Sequence, residues 1–455
     1  MRNRHPELLI PASSLEVLKT AVIFGADAVY IGGEAFGLRA KAKNFSSEEM
    51  AEGVAFAHAH GVKVYVTANI LAHNYDLEGA RKYFAELRDM KPEQPDALII
   101  SDPGMFMVAK EVWPQVEVHI STQANNTNYE TYLFWWKLGA KRVVSARELS
   151  LVEIKGIREK IPAEMEIESF VHGAMCISYS GRCLLSNFFT GRDANRGACT
   201  HPCRWKYAVV EETRPGEYLP VYENERGTYI FNSKDLCMIG HIPDLVESGI
   251  DSFKIEGRMK NPDYVFNVVR VWRRALDMLC DGAWDPGAVE ELERELGRSF
   301  NRGFTDAYLR GRSGAELMSF ERAINQGVRV GRLVAVGHEE VTVELDAAVA
   351  AGDTLEIRFY PGADARPDVP KRWPQVPCPV DAAAGERIVV HCKRKVDAGC
   401  EVYLIRSAGV LEQTAAALEC MRAEADAVVL AKRAVETLPF AGVLMDSGTQ
   451  PEESA

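Results

Sequence analysis

The chain has 455 residues, of which 47% are hydrophobic and 26% charged, a composition typical of a soluble globular protein. This length is sufficient for two or three domains with a large core. The net charge of −12 argues against broad, nonspecific nucleic-acid binding, and no stretch approaches the roughly 20 uninterrupted apolar residues of a membrane span.

The first residues contain no apolar run of signal-peptide length, so we expect a cytoplasmic protein with no membrane partner. In that compartment the ten cysteines are expected to be free, metal-bound or catalytic, because disulfides are rare there. The sequence does not indicate the oligomeric state.

A short apolar strand followed by an amphipathic helix recurs along the first 280 residues. The predicted strands span 7–12, 27–32, 63–69, 96–102, 116–122, 141–148, 164–173 and 250–260. Such alternation permits a doubly wound sheet or a closed barrel. Because there are eight units, we predict an α/β fold of the (β/α)8, TIM-like class.

The predicted barrel domain covers residues 1–285 and contains a cysteine-rich insertion, 174–207, directly after its seventh strand. A helical or loop connector follows at 286–325. Short alternating strands separated by Gly and Asp turns then predict a small all-β barrel domain at 326–408. Residues 409–455 are predicted to form a helix and a disordered tail.

In a (β/α)8 barrel the chemistry takes place at the carboxyl ends of the strands. The polar residues predicted there are Asn69, Asp102, Gln123, Arg147, Glu168, His172, Glu256 and Arg258. Glu168 and Glu256 are candidates for an acid–base pair, and the alternative is that each is paired with Arg147 or Arg258. For His172, a catalytic role and a structural hydrogen bond are both open.

Arginines and amides at such a mouth suit a small anionic substrate, because guanidinium groups bind carboxylate or phosphate in a bidentate manner. The candidate substrate-binding residues are Arg147, Arg182, Arg258, Asn69 and Gln123. Further arginines lie between the cysteines, and they predict either a phosphate-facing rim or solubilising surface charge.

Four cysteines lie in the insertion, at Cys176, Cys183, Cys199 and Cys203, with the spacing C-x6-C, fifteen residues, C-x3-C. They could supply four thiolates to an iron–sulfur cluster. Structural zinc, which prefers C-x2-4-C pairs, and unrelated free thiols are the alternatives. Cys237 competes with Cys203 as the fourth ligand.

Hydrolase motifs are sparse. The chain contains neither the G-x-S-x-G elbow nor the H-E-x-x-H zinc helix. A cysteine nucleophile assisted by His172 or His201 is the remaining route to a peptidase. Four cysteines in one loop fit ligand binding better than a single nucleophile.

Four stretches resemble a known family. They are ESFVHGAMC (168–176), GRCLLS (181–186), ELLIPASSLEVLKTAVIFGADAVYIGG (7–33) and DSFKIEGRMKNPDYV (251–265). On these residues the chain resembles the collagenase-like peptidases, the unassigned-type peptidase family thirty-two. The insertion most resembles the family branch that hydroxylates tRNA.

The resemblance implies a 4Fe–4S cluster ligated by Cys176, Cys183 and Cys199, with Cys203 as the fourth ligand and Cys237 as its alternative. It further implies tRNA as the partner, 5-hydroxyuridine at the wobble position as the product, and prephenate as the cosubstrate. The alternatives are a peptidase acting on collagen-like peptides, hydroxylation of 23S rRNA, and a non-catalytic RNA-binding factor.

Overall fold

The computed structural model describes residues 5–37, 44–205, 207, 209–210, 218–219, 231–257, 259–311, 314–319, 325–358 and 373–423. One predicted substrate-binding residue, Arg258, lies outside these ranges, as does the predicted tail. No helix within the described ranges is both long and apolar enough to cross a bilayer.

Eight parallel strands form a closed barrel. They are β1 (Glu7–Pro11), β2 (Ala28–Ile31), β3 (Lys63–Ala68), β4 (Ala97–Ile100), β5 (Glu117–Ile120), β6 (Arg142–Val144), β7 (Glu166–Ala174) and β11 (Ser252–Ile255). Three short strands lie between β7 and β11 in the chain and are not part of the eight: β8 (Val209–Val210), β9 (Tyr218–Leu219) and β10 (Asp235–Cys237). Strand β11 pairs in parallel with both β1 and β7, which closes the barrel. The predicted (β/α)8 class is confirmed.

Helices connect the barrel strands, and further helices lie in the insertion after β7 and after the last barrel strand. They are α1 (Leu15–Ile23), α2 (Ser47–Ala59), α3 (Leu77–Asp89), α4 (Pro103–Val112), α5 (Tyr129–Lys137), α6 (Leu151–Arg158), α7 (Leu185–Thr190), α8 (Ile242–Glu247), α9 (Pro262–Cys280), α10 (Pro286–Gly297) and α11 (Ala408–Ala423). Helix α2 begins with a capping box in which Ser46 and Glu49 bond each other's backbone N–H. Helix α6 repeats this device with Ser150 and Glu153.

Strand β7 continues beyond the barrel wall and carries the chain to the insertion. Its last residues pair antiparallel with β10, and β10 pairs with β12 (Phe304–Thr305). Gly173 has a φ of +102°, and a Cβ there would lie 2.3 Å from the carbonyl oxygen of Glu256. Only glycine therefore allows the ends of β7 and β11 to approach this closely.

A second antiparallel sheet forms a half-barrel beside the (β/α)8 barrel. Its strands are β13 (Val328–Val336), β14 (Glu340–Leu345), β15 (Thr354–Arg358), β16 (Gln375–Pro377), β17 (Arg387–His391) and β18 (Glu401–Arg406). It has its own apolar core, which includes Val343, Leu355 and Val402. Separate antiparallel β structure followed by a helix was predicted and is confirmed, while the domain boundaries stay predictions.

Candidate active site at the barrel mouth

Two predicted residues meet through amide hydrogen bonds at the carboxyl ends of β3 and β5. Asn69 donates from Nδ2 to the Oε1 of Gln123 and to the Oγ of Ser121, each at 3.3 Å. Ser121 also donates to Gln123. This side of the mouth is therefore a neutral, hydrogen-bonding wall.

Arg147 lies on another side of the mouth, after β6. Its guanidinium carbon is 4.1 Å from the ring centroid of Phe170, and its Nη2 is 3.9 Å from Glu256 Oε2. Only 10% of the side chain is exposed, and within the described residues its buried Nε has no hydrogen-bond partner. A buried arginine with unused donors and a distant counterion is suited to bind an incoming carboxylate.

Glu256 stays at the mouth, as predicted from its position after the eighth barrel strand. Besides the long contact with Arg147, its carboxylate lies 3.5 Å from the Tyr30 hydroxyl, which also donates to the Ile255 carbonyl at 2.9 Å. Its predicted pairing with Arg147 is thus present but loose. Glu256 is the member of the predicted acid–base pair that a substrate can approach.

Glu168 lies inside the barrel, not at its mouth. It is 0% exposed and accepts hydrogen bonds from Lys254 Nζ at 2.6 Å and from Arg142 Nη1 at 3.1 Å. Burial raises the pKa of Glu168, but Lys254 and Arg142 outweigh burial and the net pKa is lowered. Ion pairing, the alternative interpretation, describes Glu168, but the described residues that pair with it are Lys254 and Arg142, not Arg147.

The buried ion network around Glu168 continues toward the amino-terminal end of the barrel. Arg142 contacts Glu7 at 2.5 Å and Glu166 at 2.6 Å. The Tyr65 hydroxyl donates to Glu7 at 2.6 Å. The network thus pairs both carboxylate oxygens of Glu168 with buried cations inside the barrel.

His172 is also placed differently from the prediction. Its ring is buried against Tyr264, Trp272 and Phe304, with centroid distances of 6.3, 6.0 and 5.8 Å. Burial, together with the charge of Lys260, lowers the pKa of His172 to about 3, so the imidazole is neutral. His172 packs among these three aromatic rings, which we call the aromatic layer, and does not converge with Asn69, Gln123 and Arg147.

The cysteine-rich insertion covers the mouth, as expected from its position after the seventh strand. Asn125 Nδ2 donates to the carbonyl of Ser180 at 3.1 Å. Gly181, with φ +77°, packs so closely on Gln123 that a Cβ would lie 3.1 Å from the Cγ of that residue. We refer to residues 174–205 as the cysteine lid.

Two arginines of the cysteine lid hold it in place. Arg204 donates to Asn232 Oδ1 and the Ser233 carbonyl, both at 2.7 Å, and to the Met175 carbonyl at 2.9 Å, which joins the two ends of the lid. Arg196 forms a bidentate pair with Asp76 at 2.7 and 3.0 Å. A phosphate-facing rim and solubilising surface charge were the two alternatives for these arginines, and the structure instead uses Arg196 and Arg204 in internal contacts.

Arg182 differs from these structural arginines. Its side chain is exposed on the cysteine lid and has no hydrogen bond or ion pair with the described residues. It is therefore available to an external anion. The sequence alone could not separate Arg182 from Arg196 and Arg204, because all three lie in the same polar stretch.

The four lid cysteines lie within electrostatic range of one another. Burial is the largest cause that raises the pKa of the Cys203 thiol to about 11; Arg204 acts to lower it, and Cys176, Cys199 and Cys183 act to raise it. Cys237 is fully buried on β10, and the groups that act on its pKa include none of these four. The structure thus groups Cys203, and not Cys237, with the other three.

The arrangement of the donors bears on which metal group they fit. Within the described ranges, no three Cys, His, Asp or Glu side chains are placed to share one metal ion. A structural zinc requires four ligands around a single point. An iron–sulfur cluster takes its cysteines on several irons.

A closed (β/α)8 barrel with a four-cysteine lid over an arginine-containing mouth defines the structural class. The chain belongs to peptidase family U32, whose family model matches residues 13–319. It is 45% identical over 317 residues to tRNA hydroxylation protein P1 of Bacillus subtilis, covering 70% of this chain and 74% of that protein.

Two further relatives carry different names. Identity to tRNA hydroxylation protein P of Escherichia coli is 39% over 399 residues, covering 77% of this chain and 86% of the relative. Identity to a collagenase of Porphyromonas gingivalis is 36% over 315 residues, covering 67% of this chain and 73% of the relative. The predicted membership of the collagenase-like family is confirmed.

Proposed function

We propose that this protein hydroxylates tRNA, forming 5-hydroxyuridine at the wobble position with prephenate as cosubstrate. The observation that carries the proposal is the position of the four lid cysteines directly over a mouth that contains Arg147. The names of the Bacillus subtilis and Escherichia coli relatives support the same activity. An unpaired anticodon base can enter such a mouth, whereas a base within a duplex cannot.

Cys176, Cys183, Cys199 and Cys203 would hold a 4Fe–4S cluster, which when bound supplies one-electron chemistry. Support comes from their grouping around Cys203. The lid joins its own ends through Arg204 and docks on the barrel through Arg196. The thiols are therefore held over the mouth by rigid contacts.

The remaining residues of the mouth take defined roles in this proposal. Arg147 binds a carboxylate of prephenate, because its Nε is buried without a partner and its counterion is distant. Asn69 and Gln123 orient the cosubstrate or the uracil through amide hydrogen bonds. Glu256, the accessible carboxylate, is the candidate to move a proton, a task for which Glu168 and His172 are buried too deeply.

Deletion of the gene in its host tests the activity. Nucleosides from bulk tRNA and from 23S rRNA are quantified by mass spectrometry, with strains complemented by the wild type and by Cys203→Ser. We expect loss of wobble 5-hydroxyuridine in the deletion strain and restoration only by the wild type. Unchanged tRNA in a strain without a paralogue would refute the proposal, and a loss confined to rRNA would indicate the ribosomal alternative.

Peptidase activity is the second candidate, favoured by the family and by the relative named collagenase. Its nucleophile would need a histidine. His172 is buried in aromatic packing, so the candidate base is His201, which lies on the lid between Cys199 and Cys203 and whose backbone N–H is 3.4 Å from Cys199 Sγ. Hydrolysis of gelatin by the purified protein, surviving iron chelation and abolished by alkylation of one cysteine, would establish it. Anaerobically purified protein with about four irons per chain favours the hydroxylase.

A further inference from the structure

Helix α7 of the cysteine lid buries a serine and exposes large apolar side chains, unlike an ordinary surface helix. Ser186 is fully buried, and its Oγ accepts from the Thr200 N–H and lies 3.1 Å from the Thr200 hydroxyl. Leu184 and Phe188, one turn apart, point outward and are 76% and 79% exposed. The helix thus binds the lid with hydroxyls and presents its apolar side to the outside.

The outward side continues into a cluster of rings. Phe188 and Phe189 lie 5.2 Å apart, and Phe189 lies 5.6 Å from Trp205, measured between ring centroids. We define Leu184, Phe188, Phe189 and Trp205 as the aromatic patch. Contiguous exposed rings on a polar lid indicate an interaction surface, because solvation of such a patch is unfavourable.

The charge around the aromatic patch indicates the kind of partner. Residues 174–205 contain four arginines and one aspartate, a balance of +3, in a chain with net charge −12. Two of these arginines are used internally, whereas Arg182 and Arg192 make no side-chain hydrogen bond or ion pair with the described residues. Rings beside free guanidinium groups are the combination with which proteins bind unpaired nucleotides.

We propose that the aromatic patch is a stacking surface for the unpaired RNA nucleotides that flank the modified base, with Arg182 and Arg192 binding their phosphates. This inference rests on the proposed tRNA hydroxylation and assigns the site that recognises its substrate. Stacking on the lid holds a single-stranded loop close to the mouth, because the lid that carries the patch packs on the mouth through Gly181 and Gln123. A duplex hides its base faces and gains little from the patch.

Fluorescence anisotropy tests the proposal with intact, anaerobically purified protein. The probes are a labelled stem-loop RNA with an unpaired loop and a fully paired RNA of equal length. Phe188→Ala should weaken binding of the stem-loop by roughly 5- to 150-fold, the range for loss of one stacked base, and Phe188→Trp should restore it. Binding of the paired RNA should change little.

Phe134→Ala is the matched control, because Phe134 is 52% exposed on helix α5 and lies outside the lid. It should leave stem-loop binding unchanged. Arg182→Ala should reduce the slope of log affinity against log salt by about 0.7, as expected for one single-strand phosphate contact. Circular dichroism melting checks that Phe188→Ala is folded.

Unchanged stem-loop binding by folded Phe188→Ala, while the wild type forms 5-hydroxyuridine in cells, would overturn the patch assignment and leave the proposed function standing. If the wild type itself forms no 5-hydroxyuridine, the proposed function is refuted instead. Loss of a protein partner in Phe188→Ala with RNA binding intact would assign the patch to protein recognition and would also overturn the inference.

Discussion

The guanidinium of Arg147 stacks 4.1 Å from the ring centroid of Phe170, while its nearest carboxylate, Glu256, remains 3.9 Å from its Nη2. Stacking fixes the plane of the guanidinium without using its N–H donors. The long contact with Glu256 compensates the charge only in part. Arg147 is therefore preorganised for an anion, and the ordering cost of binding is reduced.

Substitution of Arg147 tests this preorganisation. Arg147→Lys retains a charge but loses the planar fork, and we expect the KM for the carboxylate cosubstrate to rise by roughly 10- to 100-fold, with a smaller effect on kcat. Arg147→Met, which also loses the charge, should raise this KM further. Arg88→Lys, at a surface pair with Asp89, is the control and should leave KM unchanged. An unaltered KM in Arg147→Lys would place the cosubstrate elsewhere.

The buried pair of Glu168 and Lys254 predicts a large, coupled effect on stability. Glu168→Gln should lower the free energy of unfolding by about 3–5 kcal/mol, because Lys254 stays buried without its counterion. Glu168→Gln combined with Lys254→Met should cost less than the sum of the two single changes. Urea denaturation of all four proteins measures the coupling. Additive single effects would show that the pair does not interact.

Glu7 at the other end of the same network predicts how stability depends on pH. Burial alone would raise its pKa, but Arg142, Tyr65 and Ser252 together lower the pKa from 4.5 to about 2. The ionised carboxylate therefore contributes stability that is fully present above pH 4.5 and is lost as pH falls toward about 2. Glu7→Gln should be less stable at neutral pH and should lose less stability across this window. Parallel curves of unfolding free energy against pH for the two proteins would contradict the assignment.

The barrel and the lid could be predicted from sequence because both depend on order along the chain. Alternation of apolar strands and helices gives the eight units, and the position of Cys176 after β7 places the lid. The depth of a side chain inside the barrel depends on stagger between strands, which periodicity does not encode. Periodicity therefore predicted Glu168 and His172 at the mouth. In the structure, Glu168 lies inside the barrel and His172 lies in the aromatic layer.

A signal for the buried network was nevertheless present in the sequence. Arg142 and Lys254 are charged residues within otherwise apolar barrel strands, RVV and SFKI. A charge in a strand that is buried on both faces requires a buried counterion. Glu168 was the available carboxylate on the neighbouring strand. The roles of Arg196 and Arg204 had no such signal, because both lie in a polar loop, where a charged residue does not by itself require a buried counterion.

The bidentate pair between Arg196 and Asp76 predicts that the lid can be loosened without damage to the barrel. Asp76→Ala removes both hydrogen bonds and should increase hydrogen–deuterium exchange across residues 174–205, while exchange in strands β3 to β5 stays unchanged. Glu78→Ala is the control, because Glu78 is on the same segment and 83% exposed in its side chain. Equal exchange in wild type and Asp76→Ala would show that the lid is held by its other contacts.

The choice between Cys203 and Cys237 as the fourth ligand gives a prediction that separates the two residues directly. Cys203 lies among the charges of Cys176, Cys183 and Cys199, whereas Cys237 is buried on β10 opposite His172. Anaerobically purified Cys203→Ser should therefore lose most of its iron and sulfide and its visible absorbance. Cys237→Ser should retain them, because serine there removes only a buried thiol. If Cys237→Ser loses the iron and Cys203→Ser keeps it, β10 must move toward the lid when the cluster is assembled, and the grouping around Cys203 would not be the ligand set.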